Sequence, residues 1–255
     1  MKKEEKKSSG IPLVIIVLVL VLVVVGGWWF YNSSKPSPNA NRAANATNAA
    51  RANQANAPIG AQPPNMLGSP TATVTVEEFA DFQCPTCATV HPALKQVQSR
   101  YGSKIKFIFR NFPLSMHDKA YSAAVAAEAA GMQGRFWDMQ NQLFQNQQAW
   151  SSNPNYMQLF TTYAENIGLN VEQFRNDMAG MQAKSRVDAD LQRARGLNVN
   201  STPTVYVNGK QAPSVTVDIL SQMIDAELQS AAAQPAGNTA PANSAPANAA
   251  PANTK

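Results

Sequence analysis

Cysteine and histidine are both scarce in this chain of 255 residues, which contains two of each. A disulfide between Cys84 and Cys87 would close a loop of only a few residues, and the stabilisation that a disulfide provides grows with loop length. A structural staple is therefore a weak interpretation of the pair. Zinc is a second interpretation, because His91 and His117 could complete a tetrahedral site. The sequence lacks a second closely spaced pair of ligands, so we predict no metal.

An excess of basic charge is missing from the part of the chain that is expected to fold. The whole chain has a net charge of +5, yet residues 66–232 contain 13 Lys and Arg against 14 Asp and Glu. The excess lies in the amino-terminal lysines and in segments of low complexity. A surface that binds nucleic acid needs clustered positive charge on the folded part, so we predict no nucleic-acid partner.

Charged residues are absent from residues 11–31, a run of 21 residues rich in Val, Leu and Ile. A helix of this length, rising about 1.5 Å per residue, just crosses a hydrocarbon core of about 30 Å. Lysines in residues 1–10 and the aromatic pair Trp28 and Trp29 predict a cytoplasmic amino terminus. The sequence thus predicts a single-pass anchor in the cell membrane with an extracytoplasmic domain. A cleaved secretory signal is the alternative, and it leads to the same location.

Large apolar residues are almost absent from two segments, residues 32–64 and residues 233–255. Both consist largely of Asn, Ala, Pro, Ser, Gln and Thr, and such segments cannot bury enough apolar surface to offset the entropy of ordering. We predict a disordered linker for the first and a disordered tail for the second. Residues 65–232 remain as the folded domain.

Two kinds of hydrophobic periodicity alternate within this domain. Alternation from Val74 onward predicts a strand that ends just before the cysteines, and a helix follows it. A second strand is predicted over residues 104–112. Helical periodicity then continues over about residues 115–195, before a strand over 204–207 and a last helix over 217–228. The predicted fold class is α/β with an all-helical insertion.

The stretch CPTC, at the predicted start of a helix, favours redox chemistry over a staple or a metal. Unpaired backbone N–H groups and the helix dipole stabilise a thiolate at the first cysteine, which makes Cys84 the candidate nucleophile. Pro85 suits the first helical turn because its missing N–H costs nothing there. Cys87 lies one turn further on and is the candidate resolving cysteine. Thr86 carries no charge that could adjust the thiolate.

Glu78 lies six residues before Cys84 and shares the strand face of Val74 and Val76. A carboxylate buried there would have a raised pKa and could carry the proton of Cys87. The alternative is that Glu78 and its neighbour Glu77 are ordinary solvated acids.

The stretch EEFADFQCPTC, followed far downstream by STPTVYVNG, resembles the DsbA-like thiol:disulfide oxidoreductases of the thioredoxin fold, especially the membrane-anchored bacterial forms. The resemblance covers about residues 66–232. It implies that Cys84 attacks, that Cys87 resolves and that Glu78 is the buried acid of the fold. It also implies that Pro203 is a cis-proline facing the disulfide, with Thr202 presenting its backbone to the substrate.

Together these observations predict an extracytoplasmic enzyme that introduces or exchanges disulfide bonds in unfolded or partly folded secreted proteins. The Cys84–Cys87 pair is itself the redox group, so no bound cofactor is expected. The resemblance implies a membrane redox partner, plausibly linked to quinones. Because the most oxidising members have histidine where Thr86 stands, a reductase or isomerase remains an alternative. A non-catalytic peptide-binding or chaperone module and a zinc-binding domain are further alternatives.

Overall fold

The computed structural model describes residues 13–33, 49 and 52–233. Helix α1 (Leu13–Ser33) forms part of a separate unit from the domain. Among the described residues, no helix reaches the length and apolar character that crossing a membrane requires. The anchor over residues 11–31 and the extracytoplasmic location stay predictions. The predictions for residues 1–10, for most of the linker and for the tail beyond Ala233 concern residues outside those that the structure describes.

A five-stranded mixed sheet forms the centre of the domain, with the strand order β1-β3-β2-β4-β5. Strands β2 and β3 are parallel, and every other neighbouring pair is antiparallel. The Val-, Ile- and Phe-rich runs of β2 and β3 suit central strands that are covered on both faces. The strands are β1 (Asn65–Gly68), β2 (Val74–Ala80), β3 (Ile105–Asn111), β4 (Thr204–Val207) and β5 (Lys210–Gln211).

The helices divide into those of the α/β unit and those of the insertion. Helix α2 (Pro85–Tyr101) connects the parallel strands, and α9 (Val217–Ala233) follows the last strand. Six helices lie between β3 and β4 in the described part of the chain, so the predicted helical insertion is confirmed. They are α3 (Ala120–Met132), α4 (Phe136–Gln145), α5 (Gln147–Ser151), α6 (Tyr156–Asn166), α7 (Val171–Ala179) and α8 (Met181–Gly196).

Two hydrophobic clusters place the cysteines at the seam between sheet and insertion. In one cluster, Val74 and Val76 pack with α2 and α9. In the other, Phe82 and Phe109 contact the insertion, and both cysteines belong to this second cluster. Substitutions in the insertion therefore reach the cysteine pair through direct packing.

Residues 52–64 differ from the predicted linker, and this part of the prediction is wrong. Residues 52–56 are helical, and the rest of the segment lies against β3 and α8. Arg110 donates to the carbonyls of Ile59 and Ala61, both at 3.0 Å, and Arg193 donates to the carbonyl of Pro58 at 3.0 Å. The segment is held by hydrogen bonds to its backbone carbonyls. The prediction relied on large apolar side chains, which the segment lacks, and so it missed this order. We call residues 52–64 the strap.

Gly60 shows how closely the strap approaches the domain. Its φ is +76°, and a Cβ atom there would lie 2.7 Å from an Arg110 nitrogen and 2.9 Å from an Asp190 oxygen. Only glycine combines this backbone conformation with so close an approach. Asp190 in turn accepts a hydrogen bond from the N–H of Ala61 at 2.9 Å.

Candidate active site

Cys84 occupies the N-cap position of α2, and Pro85 is the first residue of the helix. Its sulfur is 3.6 Å from the carbonyl oxygen of Thr202. The hydrogen bond from the Cys87 thiol, followed by those from the Thr202 side chain and the amides of Cys87 and Thr86, lowers the pKa of Cys84 to about 5, against the effect of burial. Cys84 is thus a stabilised thiolate at neutral pH, and a small part of its surface is exposed, 7%.

Cys87 is the opposite of Cys84 in exposure and in acidity. Its side chain is fully buried one turn into α2. Its hydrogen bond to Cys84 and its burial raise the pKa of the Cys87 thiol far above the ordinary value. Both thiols are free, and the pair shares one proton, which Cys87 holds. A thiolate with a small accessible part beside a fully buried thiol is the arrangement that thiol–disulfide exchange requires.

Glu78 lies on β2, on the face of Val74 and Val76, and is almost completely buried. Burial raises its pKa to about 8. A negative charge on Glu78 disfavours the thiolate form of Cys87 and so raises the pKa of that thiol. A carboxyl group with this pKa is mostly protonated at pH 7 and can exchange a proton with a buried thiol. The alternative of an ordinary solvated acid is wrong for Glu78 and also for Glu77, which is buried among arginines.

The Thr202–Pro203 peptide bond is cis, and it lies just before β4. The hydroxyl oxygen of Thr202 is buried, and no acceptor other than the Cys84 sulfur lies within reach of it in the described part of the chain. The hydroxyl can therefore donate to the Cys84 thiolate. The structure therefore brings Cys84, Cys87 and Thr202 together. Their roles with a substrate stay predictions.

Two glutamines that the sequence did not single out fix the loop before Cys84. Gln147 of α5 donates to the carbonyls of Phe82 at 2.7 Å and Cys84 at 2.9 Å. Gln83 accepts from the backbone N–H of Lys119 at 2.8 Å. Gln83 directly precedes CPTC in the stretch EEFADFQCPTC, so the sequence alone could have pointed to it. Gln147 follows no periodicity linked to the cysteines, and only the fold brings it there.

The two histidines hydrogen-bond side chains other than those of the cysteines. His91 is buried because α4 covers this side of α2. Its Nε2 is 3.0 Å from Asn141 Oδ1, and burial lowers its pKa. His117 bonds Asp81 instead. Among the residues that the structure describes, no three His, Cys, Asp or Glu side chains gather in a group that could hold a metal ion.

A thioredoxin-like sheet with a helix-capping CxxC pair defines the class of thiol:disulfide oxidoreductases. The sequence profile of the family described as Thioredoxin matches residues 61–226. The chain belongs to this family, within its DsbA-like members.

Known relatives and solved structures are consistent with this assignment. "Probable disulfide bond formation protein D" of Bacillus cereus is 35% identical over 173 residues, covering 64% of this chain and 78% of that protein. The crystal structure of oxidised BdbD from Bacillus subtilis aligns with a TM-score of 0.60 at 26% identity, covering 68% of this chain and 98% of that one. Wolbachia pipientis alpha-DsbA1 shares the fold, with a TM-score of 0.62 at 19% identity over 71% of this chain and 97% of that one.

Other relatives carry a different name. "Na(+)/H(+) antiporter NhaA 1" of Mycolicibacterium gilvum is 37% identical over 159 residues, which is 60% of this chain and 25% of that protein. The chain thus spans about a quarter of the length of these curated relatives.

Proposed function

We propose that this protein is an extracytoplasmic thiol:disulfide oxidoreductase that introduces or exchanges disulfide bonds in unfolded or partly folded secreted proteins. The observation that carries the proposal is the asymmetry of the cysteine pair. Cys84 is a partly exposed thiolate with a pKa of about 5, and Cys87 is a fully buried thiol. An incoming chain can reach only the sulfur of Cys84.

The reaction begins with the oxidised pair. A substrate thiolate attacks the sulfur of Cys84, the Cys84–Cys87 bond breaks, and Cys87 leaves as a thiolate that takes a proton from Glu78. The second thiolate of the substrate then attacks the substrate sulfur of the mixed disulfide, and Cys84 leaves as a thiolate. The substrate has lost two electrons and gained a disulfide, and the cysteine pair has gained both electrons.

The low pKa of Cys84 favours this direction of electron flow. A cysteine pair is a strong oxidant when its reduced form is stabilised, and a thiolate at Cys84 stabilises that form. The pKa of about 5 falls between the values of about 7 for thioredoxin and about 3.5 for DsbA. This observation favours oxidation or exchange over a thioredoxin-like reductase.

The groups around Cys84 suit an extended peptide. Thr202 has its carbonyl oxygen 3.6 Å from the sulfur, so a substrate backbone would lie along Thr202 and Pro203. The pair is the redox group, and a quinone-linked membrane partner would reoxidise it.

The test is the oxidation of a peptide with two cysteines by the full chain, followed by mass spectrometry. The oxidised protein should convert the dithiol to a disulfide in one turnover, and Cys84→Ala should abolish this. Undiminished oxidation by Cys84→Ala would reject the proposal in favour of a non-catalytic binding module. A reduction potential of about −270 mV would indicate a reductase, and one of about −120 mV would indicate an oxidant.

A further inference from the structure

A buried carboxylate that the proposed reaction does not use lies three residues before Cys84. Asp81 directly follows β2, and its side chain has no exposed surface. One oxygen accepts from the backbone N–H of Gln83 at 2.7 Å. The other accepts from the N–H of Leu114 at 2.9 Å and lies 2.6 Å from Nδ1 of His117. A carboxylate can only accept, so Nδ1 of His117 carries the proton of that bond.

The backbone of Asp81 forms a hydrogen bond with each of the two cysteines. Its carbonyl oxygen accepts from the N–H of Cys84 at 3.1 Å. Its amide hydrogen-bonds the sulfur of Cys87 and favours the thiolate there. The side chain and the backbone of one residue thus join the β3–α3 loop, which carries Leu114 and His117, to the redox pair.

We propose that Asp81 and His117 form a positioning pair for the resolving cysteine. The imidazole N–H of His117 holds the carboxylate, and the carboxylate holds the amide of Asp81 on the sulfur of Cys87. Neither side chain touches a reacting atom, so both act through the backbone. The inference rests on the proposed function, because it concerns the same thiol exchange.

The amide contributes most when Cys87 carries a negative charge. During oxidation of a substrate, the Cys84–Cys87 bond breaks and Cys87 leaves with the electron pair. A leaving thiolate that is better stabilised leaves faster, and the amide of Asp81 stabilises it before the proton arrives from Glu78. In the reverse direction, the same amide favours the thiolate form of Cys87 that attacks the mixed disulfide.

The test uses the full chain with His117→Leu, which removes the donor, and His117→Asn, whose amide can replace Nδ1–H. Tyr121→Phe is the control, because it removes a hydrogen bond to Asp188 that has no link to Asp81. The readouts are the equilibrium constant with glutathione and the rate at which oxidised protein reacts with a dithiol peptide. We expect His117→Leu to slow the reaction about tenfold, on the scale of a hydrogen bond to a charged group. The equilibrium constant should stay close to that of the wild type, because Cys87 is protonated in the reduced protein.

His117→Asn should recover most of the lost rate, and Tyr121→Phe should match the wild type. A folded His117→Leu that reacts at the rate of the wild type would overturn the inference. Should His117→Leu not fold, Asp81→Asn decides, since it sets an NH₂ group against one of these donors and should slow the reaction in the same way. A wild type that fails to oxidise the peptide would reject the proposed function, while the rates at which glutathione attacks the oxidised variants still test the positioning pair.

Discussion

Glu77 and Glu78 are consecutive residues of β2, and they are buried on opposite faces of the sheet in opposite electrostatic surroundings. Glu77 Oε1 lies 2.6 Å from Arg193 and 2.7 Å from Arg110. Burial alone would raise its pKa, but these two guanidinium groups hold the pKa of Glu77 below its usual value. Glu78 has no such cation, and burial raises its pKa to about 8. One carboxylate therefore stays charged and the other keeps its proton.

The raised pKa of Glu78 predicts a stability that falls as pH rises. Between the unfolded pKa of 4.5 and the folded value of about 8, the folded protein holds a proton that the unfolded chain releases. The free energy of unfolding therefore decreases across this window, and by pH 7 the loss is on the order of 3 kcal/mol. Glu78→Gln should remove this loss. Urea unfolding at pH 5 and pH 8 would measure this loss: the difference in the free energy of unfolding between Glu78→Gln and the wild type should grow with pH.

Proton transfer supplies a second measurement on the same variant. Glutamine cannot donate a proton to Cys87, so Glu78→Gln should slow the attack of a dithiol peptide on the oxidised protein at pH 7 by about a hundredfold, the lower end of the usual contribution of acid–base catalysis. A rate equal to that of the wild type would leave Glu78 without the proposed role, whatever its effect on stability.

Glu77→Gln should act in the opposite sense on stability. Removing one partner of a buried ion pair leaves the other charge without compensation, which typically costs about 3–5 kcal/mol. Here Arg110 and Arg193 would both lose a partner, so we expect a lower midpoint of urea unfolding at pH 7. A midpoint at or above that of the wild type would show that the arginines find other acceptors. Glu78→Gln serves as the matched isosteric control.

The thiolate of Cys84 should be visible in the absorbance of the reduced protein at 240 nm. A titration should give a midpoint near pH 5, and Cys84→Ala should abolish that transition. Cys87→Ala should raise the midpoint, because the hydrogen bond from Cys87 is the largest contribution to the low pKa of Cys84. An unchanged midpoint in Cys87→Ala would mean that the helix amides and Thr202 suffice.

Gly60→Ala should loosen the strap. The new Cβ atom would meet Arg110 and Asp190, and alanine is strained at a φ of +76°. Gly134→Ala is the control, since Gly134 has the same φ of +76° with open space around it. The control should lose about 1 kcal/mol from the backbone alone, and Gly60→Ala should lose more. Equal losses in thermal unfolding would show that the strap adjusts without cost.

Hydrophobic patterns predicted the strands and helices whose apolar residues follow the periodicity of the element. The alternation after Val74 predicted β2, and the strand predicted over residues 204–207 is β4. Strand β1 was missed because only Met66 and Leu67 are apolar in its four residues. The helical periodicity over about residues 115–195 does not mark where one helix ends and the next begins: Gly180 adopts an extended conformation and separates α7 from α8.

The site was predictable only where the chemistry lies within a motif. Cys84 and Cys87 follow from CPTC, and Thr202 and Pro203 follow from the family resemblance. The buried state of His91 depends on α4, and the strap depends on guanidinium groups more than 45 residues away in sequence. Such contacts join distant segments through single hydrogen bonds, which leave no periodicity in the sequence.

The amide of Gln147 sets a limit on how far this protein could be reduced in size. The insertion can look like an addition to a smaller redox domain, which an engineer would remove to obtain a minimal enzyme. Gln147 supplies the hydrogen bonds to the carbonyls of Phe82 and Cys84, and Phe136 and Phe144 belong to the cluster that encloses Cys87. Excision would remove the Gln147 donor from both carbonyls, leaving that of Cys84 with only the N–H of Ala88, and would open the resolving thiol to water. The helices between β3 and β4 are part of the active site's construction, and the smallest working form of this protein retains them.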